Sequence, residues 1–107
     1  MFAIVVRFDL PDEAAAARFD ALVAEIVPDI HAQEPGTLVY TTHRVDDAPL
    51  SRLFYEVYRD RAAHAAHEAR AEVAAFLDEV RTLVSAVRVE HLVPEHGAEG
   101  ITADGPA

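Results

Sequence analysis

The 107-residue chain contains no cysteine. Disulfide bonds, thiolate nucleophiles and cysteine-ligated zinc or iron–sulfur centres are therefore excluded. Lysine and tryptophan are absent too, so all nine basic residues are arginine. Against them stand 19 acidic residues, for a formal net charge of −10. A surface of that sign repels phosphate backbones and anionic lipid headgroups, so nucleic acid is not an expected partner. No apolar run reaches the roughly 18 residues that a membrane span requires, so no membrane association is expected either. Met1 to Arg7 place no basic group ahead of their apolar stretch. A secretion signal is therefore not expected, and cytoplasmic residence is the default reading. Glycine is scarce, and three of the four lie beyond His96. No glycine-rich loop is available to cradle a nucleotide, and the expectation is a protein without cofactor or metal.

What is present is a globular composition. Hydrophobic residues make up 51% and charged residues 26%, which excludes global disorder. The length suits one domain. Phe2, Ile4, Val6 and Phe8 alternate with Ala3, Val5, Arg7 and Asp9, the period of a strand that is partly apolar on its second face. Pro11, Asp12 and Glu13 read as a first helical turn with acid at the positive end of the helix dipole. Phe19, Leu22, Val23, Ile26 and Ile30 continue one apolar helical stripe. Pro28 interrupts that stripe, and a mid-helix proline costs about 3 kcal/mol, so a kink or break near Val27 is expected.

Glu34-Pro35-Gly36 is a stop-and-turn signal. A second strand is predicted over Thr37 to Val45, a polar connection over Asp46 to Ser51, and a third strand over Leu53 to Arg59. On the third strand, Phe54, Glu56 and Tyr58 share one face. Asp60 is placed to cap an alanine-dense helix over Arg61 to Ala69. A second helical stretch runs from Val73 to Val87, and a fourth strand follows over Val87 to Val93. The domain is thus expected over residues 1–94, with a flexible tail over 95–107.

The order β-α-β-β-α-β is the α+β, ferredoxin-like plan, a four-stranded antiparallel sheet with its helices on one face. The first and third strands are apolar on both faces, and one chain's helices cover only one of them. A second copy of the sheet is the simplest cover, which predicts a homodimer closed into a dimeric α+β barrel.

These residues resemble the antibiotic biosynthesis monooxygenase family of the dimeric α+β barrels, from Phe2 to about Pro94. The likeness rests on Val27-Pro28, on Glu34-Pro35-Gly36, and on Tyr55-Glu56-Val57-Tyr58-Arg59-Asp60 followed by Ala66-His67. The family usually shows a Glu-Trp strand end, an Asp, Ala-His-Leu, a second His and a pair of Phe. Glu56, Asp60, Ala66, His67 and Phe76 sit at matching spacing. Tyr58 stands where Trp is usual, Glu68 replaces Leu, Glu72 replaces the second His, and Val73 replaces the first Phe.

The resemblance implies a cofactor-independent monooxygenase that acts on a small quinol or phenolic aromatic with O₂. Such a substrate carries its own electrons, and its anion reduces O₂ once a base has removed a proton. His67 is the expected base, since imidazole exchanges protons near neutral pH. Tyr58 is expected to hold a substrate oxygen, and Glu56 to orient His67. Phe54, Phe76 and Val73 are expected to line the substrate site. The rival reading is a non-catalytic small-ligand-binding or pathway-accessory barrel, which the exchanges at Tyr58 and Glu72 favour.

His64, His67, Glu68 and Glu72 fall near one helical face, but their spacing matches no zinc-protease pattern. Metal binding is therefore not the expected role. His43 and His91, with Arg7, Arg44 and Arg88, are read as a polar layer facing the sheet's partner.

Overall fold

The computed structural model describes residues 1–97 and the backbone of Ile101–Thr102 and Gly105–Pro106, a short antiparallel pair. Of the flexible tail expected over 95–107, residues 98–100, 103–104 and 107 lie outside the described residues.

The main domain runs β1 (Phe2–Asp9), α1 (Glu13–Gln33), β2 (Thr37–Val45), β3 (Ala48–Tyr58), α2 (Arg61–Ala69), α3 (Ala71–Leu83) and β4 (Ala86–Leu92). The sheet order is β2-β3-β1-β4, and every pairing is antiparallel. This is the expected ferredoxin-like sheet with its helices on one face.

The expected closure into a barrel is not what the structure shows. The sheet is open: β2 and β4 form its two edges, and each pairs with a single neighbour. Four strands are about half of what a closed barrel with a filled interior needs, so a single sheet of this size does not close on itself. The feature that suggested closure is nonetheless present. Val5, Leu53 and Tyr55 share the face turned away from the helices and are half-buried there.

Two local expectations are also corrected. Helix α1 is continuous through Pro28. Ile26 and Ile30, on either side of it, are 7% and 1% exposed, and their burial offsets the lost backbone bond. The third strand begins at Ala48 rather than Leu53, and the β2–β3 connection shrinks to Asp46-Asp47. Pro49 is accommodated because the ladder shifts register between Arg44 and Val45, and such an irregularity removes the need for a proline N–H.

The helix boundaries follow local chemistry. The Asp12 carboxylate accepts from the Ala15 N–H at 2.8 Å, and the Asp60 carboxylate accepts from the Ala63 N–H at 2.8 Å. Arg70 is extended (φ −68°, ψ 136°) and divides α2 from α3. The core lies between the helices and the inner sheet face. Its centre is a ring cluster in which Phe8 sits 4.8 Å from Phe54 and 5.1 Å from Phe19.

Candidate functional site

A cavity of about 360 Å³ lies between the inner sheet face and the α2–α3 layer. Ile4, Val6, Phe8 and Phe54 form its floor, and Leu77 and Val80 of α3 face them. Val87 and Val89 sit on the helix-facing side of β4, opposite Phe8 and Val6, yet both are 47% exposed. The helix layer stops short of β4, and the cavity opens along that edge. At its other end the lining turns polar, with Tyr40, Glu56, His64, His67, Glu68 and His91. An apolar chamber with a few convergent titratable groups is the usual form of a small-molecule site.

Glu56 reaches this cavity because strand alternation puts it on the same face as Phe54 and Tyr58. It is buried, and the Tyr58 hydroxyl donates a hydrogen bond to its Oε1. Burial pushes its pKa up to about 7, the Tyr58 bond counteracts part of that rise, and the charges of Glu68 and Glu34 add to it. Burial, and then the neighbouring Glu56 carboxylate, drive the Tyr58 phenol far above its ordinary value, so it stays a donor. Tyr40 is raised for the same two reasons, with Glu34 adding to the effect. His64 is lowered, chiefly by burial, against an opposing pull from Glu68. Its ring lies 4.8 Å from Tyr58 and 4.9 Å from Phe2.

His67 is 5% exposed and borders two spaces, the cavity and a surface cleft of about 430 Å³. Its ring sits 5.3 Å from Tyr58 and 5.5 Å from Tyr40. The residue that holds it is not Glu56, as expected, but Glu34. Nδ1 lies 2.7 Å from Glu34 Oε1. Glu56 is engaged by Tyr58 instead. Among the described residues Nε2 has no hydrogen-bond partner, and no sealed side-chain nitrogen or oxygen lacks one. Nε2 is therefore open to solvent or to a bound molecule.

Glu34 itself is buried and held from three sides. Thr37 Oγ1 donates to Oε1 at 2.7 Å, and Arg70 Nη1 donates to Oε2 at 2.6 Å. Arg70 also donates to Asp29 at 2.6 Å. Burial works to raise the Glu34 pKa, but the bonds from Thr37, Arg70 and His67 together outweigh it and leave it lowered. Sequence reading took Glu34-Pro35-Gly36 as a turn and missed the carboxylate. The contact spans 33 residues, and no local spacing announces it.

The other expected site residues are divided. Phe54 lines the cavity floor. Tyr58 is fully buried, and its hydroxyl is committed to Glu56. Val73 is a core residue at 1% exposure, and Phe76 lines a separate groove between α1 and α3. Leu77 and Val80, one turn further along the same face of α3, take the places expected of Val73 and Phe76. The break at Arg70 separates Glu72 from the face that carries His64 and His67, and Glu72 pairs with Arg70 at 3.6 Å. Among the described residues no group of three or more His, Cys, Asp or Glu is arranged to hold a metal ion. The polar layer is split as well. Pairing register puts Arg7, His43 and Arg88 on the outer face, whereas Arg44 and His91 share the helix-facing side. No helix among the described residues is long and apolar enough to cross a membrane.

Among solved structures, a Bacteroides thetaiotaomicron protein assigned provisionally to the antibiotic biosynthesis monooxygenases superposes with a TM-score of 0.83. It shares 19% identity, over 94% of this chain and 95% of that one. A Mycobacterium tuberculosis protein gives 0.81 at 24% identity, over 92% of this chain and 98% of its own. A Shewanella oneidensis protein gives 0.75 at 26% identity, over 85% and 87%. A search of curated proteins finds no significant match. At such identities the structural likeness speaks for the fold. The sequence model of one family, antibiotic biosynthesis monooxygenase, matches residues 1–79, and the chain belongs to that family.

Proposed function

We propose that the chain is an oxidoreductase that oxygenates a small quinol or phenolic aromatic with O₂, using neither metal nor flavin, with His67 as general base. The observation that supports this most is the cavity, an apolar chamber bordered at one end by the His67 imidazole and by a carboxyl group raised to about 7.

For an anthrone-type substrate the balance is R₂CH₂ + O₂ → R₂C=O + H₂O. Nε2 of His67 takes the proton, and the delocalised anion passes one electron to O₂. Recombination forms a carbon–oxygen bond, and the proton returns to give a hydroperoxide. Loss of water then leaves the carbonyl. One oxygen atom stays on the product, and the substrate supplies all four electrons. Phe54 offers the ring a wall to lie on. Glu56, partly protonated near neutral pH, holds a substrate oxygen. Tyr58 supports Glu56.

A second reading, a non-catalytic ligand-binding protein, draws on Tyr58. Full burial and its bond to Glu56 leave it no face to offer a ligand where the family usually has Trp. Oxygen uptake with a panel of hydroquinones and anthrones separates the two. Turnover that needs no added flavin or metal supports the oxygenase, and saturable binding without uptake supports the binder. We further propose that the chain works as a homodimer through the sheet face that carries Val5, Leu53 and Tyr55. A monomer mass by light scattering at micromolar concentration would overturn that point.

A further inference from the structure

We propose that Glu34 is the positioning residue of this site: its carboxylate holds the Nδ1 proton of His67, fixes Nε2 as the accepting nitrogen, and stabilises the ring once it is protonated. The proposal rests on the reading of His67 as base and adds to it the group that makes the ring a base of one orientation.

Several charged or titratable groups surround the ring. Glu34 comes from the end of α1, His64 and Glu68 from α2, and Arg70 from the α2–α3 junction. Tyr40 comes from β2, Glu56 and Tyr58 from β3, and Arg59 and Asp60 from the cleft beyond it. Among the described residues, Glu34 alone bonds a ring nitrogen of His67. A carboxylate on Nδ1 selects the tautomer whose Nε2 is free. The carboxylate is itself fixed. Thr37 shares the oxygen that faces His67, and Arg70 takes the other. The Arg70 guanidinium lines the cleft and not the cavity. Its substitution therefore changes the charge on Glu34 without changing the substrate's walls.

That arrangement yields a test in the sign of two shifts. In Glu34→Gln the charge is lost, and the His67 imidazolium loses its stabilising partner. In Arg70→Gln the Glu34 charge is no longer shared, a nearby positive charge is gone, and the imidazolium gains. Nitrogen-15 NMR of the imidazoles, with the His67 signals identified by their loss in His67→Ala, reads both the tautomer and the titration midpoint. The native protein is expected to show the Nδ1–H tautomer. Glu34→Gln is expected to mix the tautomers, to lower the midpoint, and to reduce oxygen uptake about 10²-fold. Arg70→Gln is expected to raise the midpoint, and Glu34→Asp to restore part of the activity.

A purely structural role for Glu34 predicts midpoints that do not move, or that move the same way in both variants, and either result overturns the proposal. If Glu34→Gln does not fold, Arg70→Gln and Glu34→Asp carry the test, and an unmoved midpoint in both overturns it. Full turnover in His67→Ala, with the tautomer still responding to Glu34→Gln, would overturn the base reading and leave the Glu34 contact standing. The two failures are thus distinct.

Discussion

Two glutamates of this chain are buried to nearly the same degree and are shifted in opposite directions. Glu34 is 8% exposed and lowered, whereas Glu56 is 4% exposed and raised to about 7. Burial acts to raise both, because it disfavours the charged form. The company of the two carboxylates differs. Glu34 has two cationic or potentially cationic partners and a hydroxyl donor, enough to keep its charge in place. Glu56 has one neutral donor, Tyr58, and two distant negative charges working against it. One carboxylate is therefore a fixed anion and the other a group poised to change protonation. The comparison teaches that partners of sufficient number and opposite charge overturn the rise that burial imposes on a carboxylate.

The pH dependence of stability follows with opposite sign for each. Glu34 is lowered on folding, so its contribution is present above the ordinary carboxylate value and is lost as pH falls through its lowered value. Glu56 is raised, so its contribution is present below about 4.5 and is lost as pH rises through about 7. The protein is expected to lose stability on both sides of a mildly acidic optimum.

The largest expected effect comes from removing the group that only Glu34 serves. His67→Ala should lower turnover per folded molecule about 10²–10⁴-fold, the usual range for a general base, as read by oxygen uptake. From the sequence alone, such a change on an alanine-rich helix should barely alter stability. The buried bond to Glu34 changes that expectation to a loss of about 1–3 kcal/mol, measured by denaturant unfolding. An unchanged turnover would leave Glu34 a structural anion with no catalytic client.

The next effect isolates Glu56. Glu56→Gln keeps the shape and the ability to accept from Tyr58 and removes the ionisation. It should stabilise the fold on the order of 3 kcal/mol well above pH 7, with the gain fading below about pH 5, where native Glu56 is protonated. Unfolding curves at the two pH extremes check this. An equal effect at both would show that Glu56 is not the raised group.

The smallest effect separates the two carboxylates mechanically. A Cβ on Gly36 would lie 2.8 Å from the Cβ of Ala63, in the first turn of α2. The turn that carries Glu34 thus packs against the helix that carries His67 with no room for a methyl group. Gly36→Ala should cost about 1–2 kcal/mol by overpacking. It should also loosen the Glu34–His67 contact and spare the Glu56–Tyr58 pair. NMR signals of His67 should move, and the pH response assigned to Glu56 should stay.

The elements themselves were legible. The alternation of Phe2 to Asp9, the apolar stripe from Phe19 to Ile30, and the cap at Asp60 all reflect local periods and local hydrogen bonds, which a sequence carries on its face, whereas Asp12, expected inside the first turn, proves to be the cap itself. The break expected near Pro28, which does not occur, has the same origin. A local penalty was weighed without the burial of Ile26 and Ile30 that offsets it. In the site, His67, Glu56 and Phe54 were marked from strand alternation and family spacing, and all three line the cavity. Val73 and Phe76 lie on the same face of α3 as Leu77 and Val80 but one turn earlier, and spacing along the chain does not show which turn of the helix the cavity meets.

By itself, then, the sequence determined the order of strands and helices, the face of β3 that points inward, and the family to which the chain belongs. These depend on residues close together in the chain, or on patterns that repeat along it. The tertiary structure alone decided that the sheet stays open, that β4 leaves the cavity uncovered at one edge, and that Glu34 rather than Glu56 holds His67. Each of these depends on which distant segments come to share a desolvated space. The energy of a buried charge is set by the few partners within hydrogen-bond reach, and no distance along the chain records who those partners are.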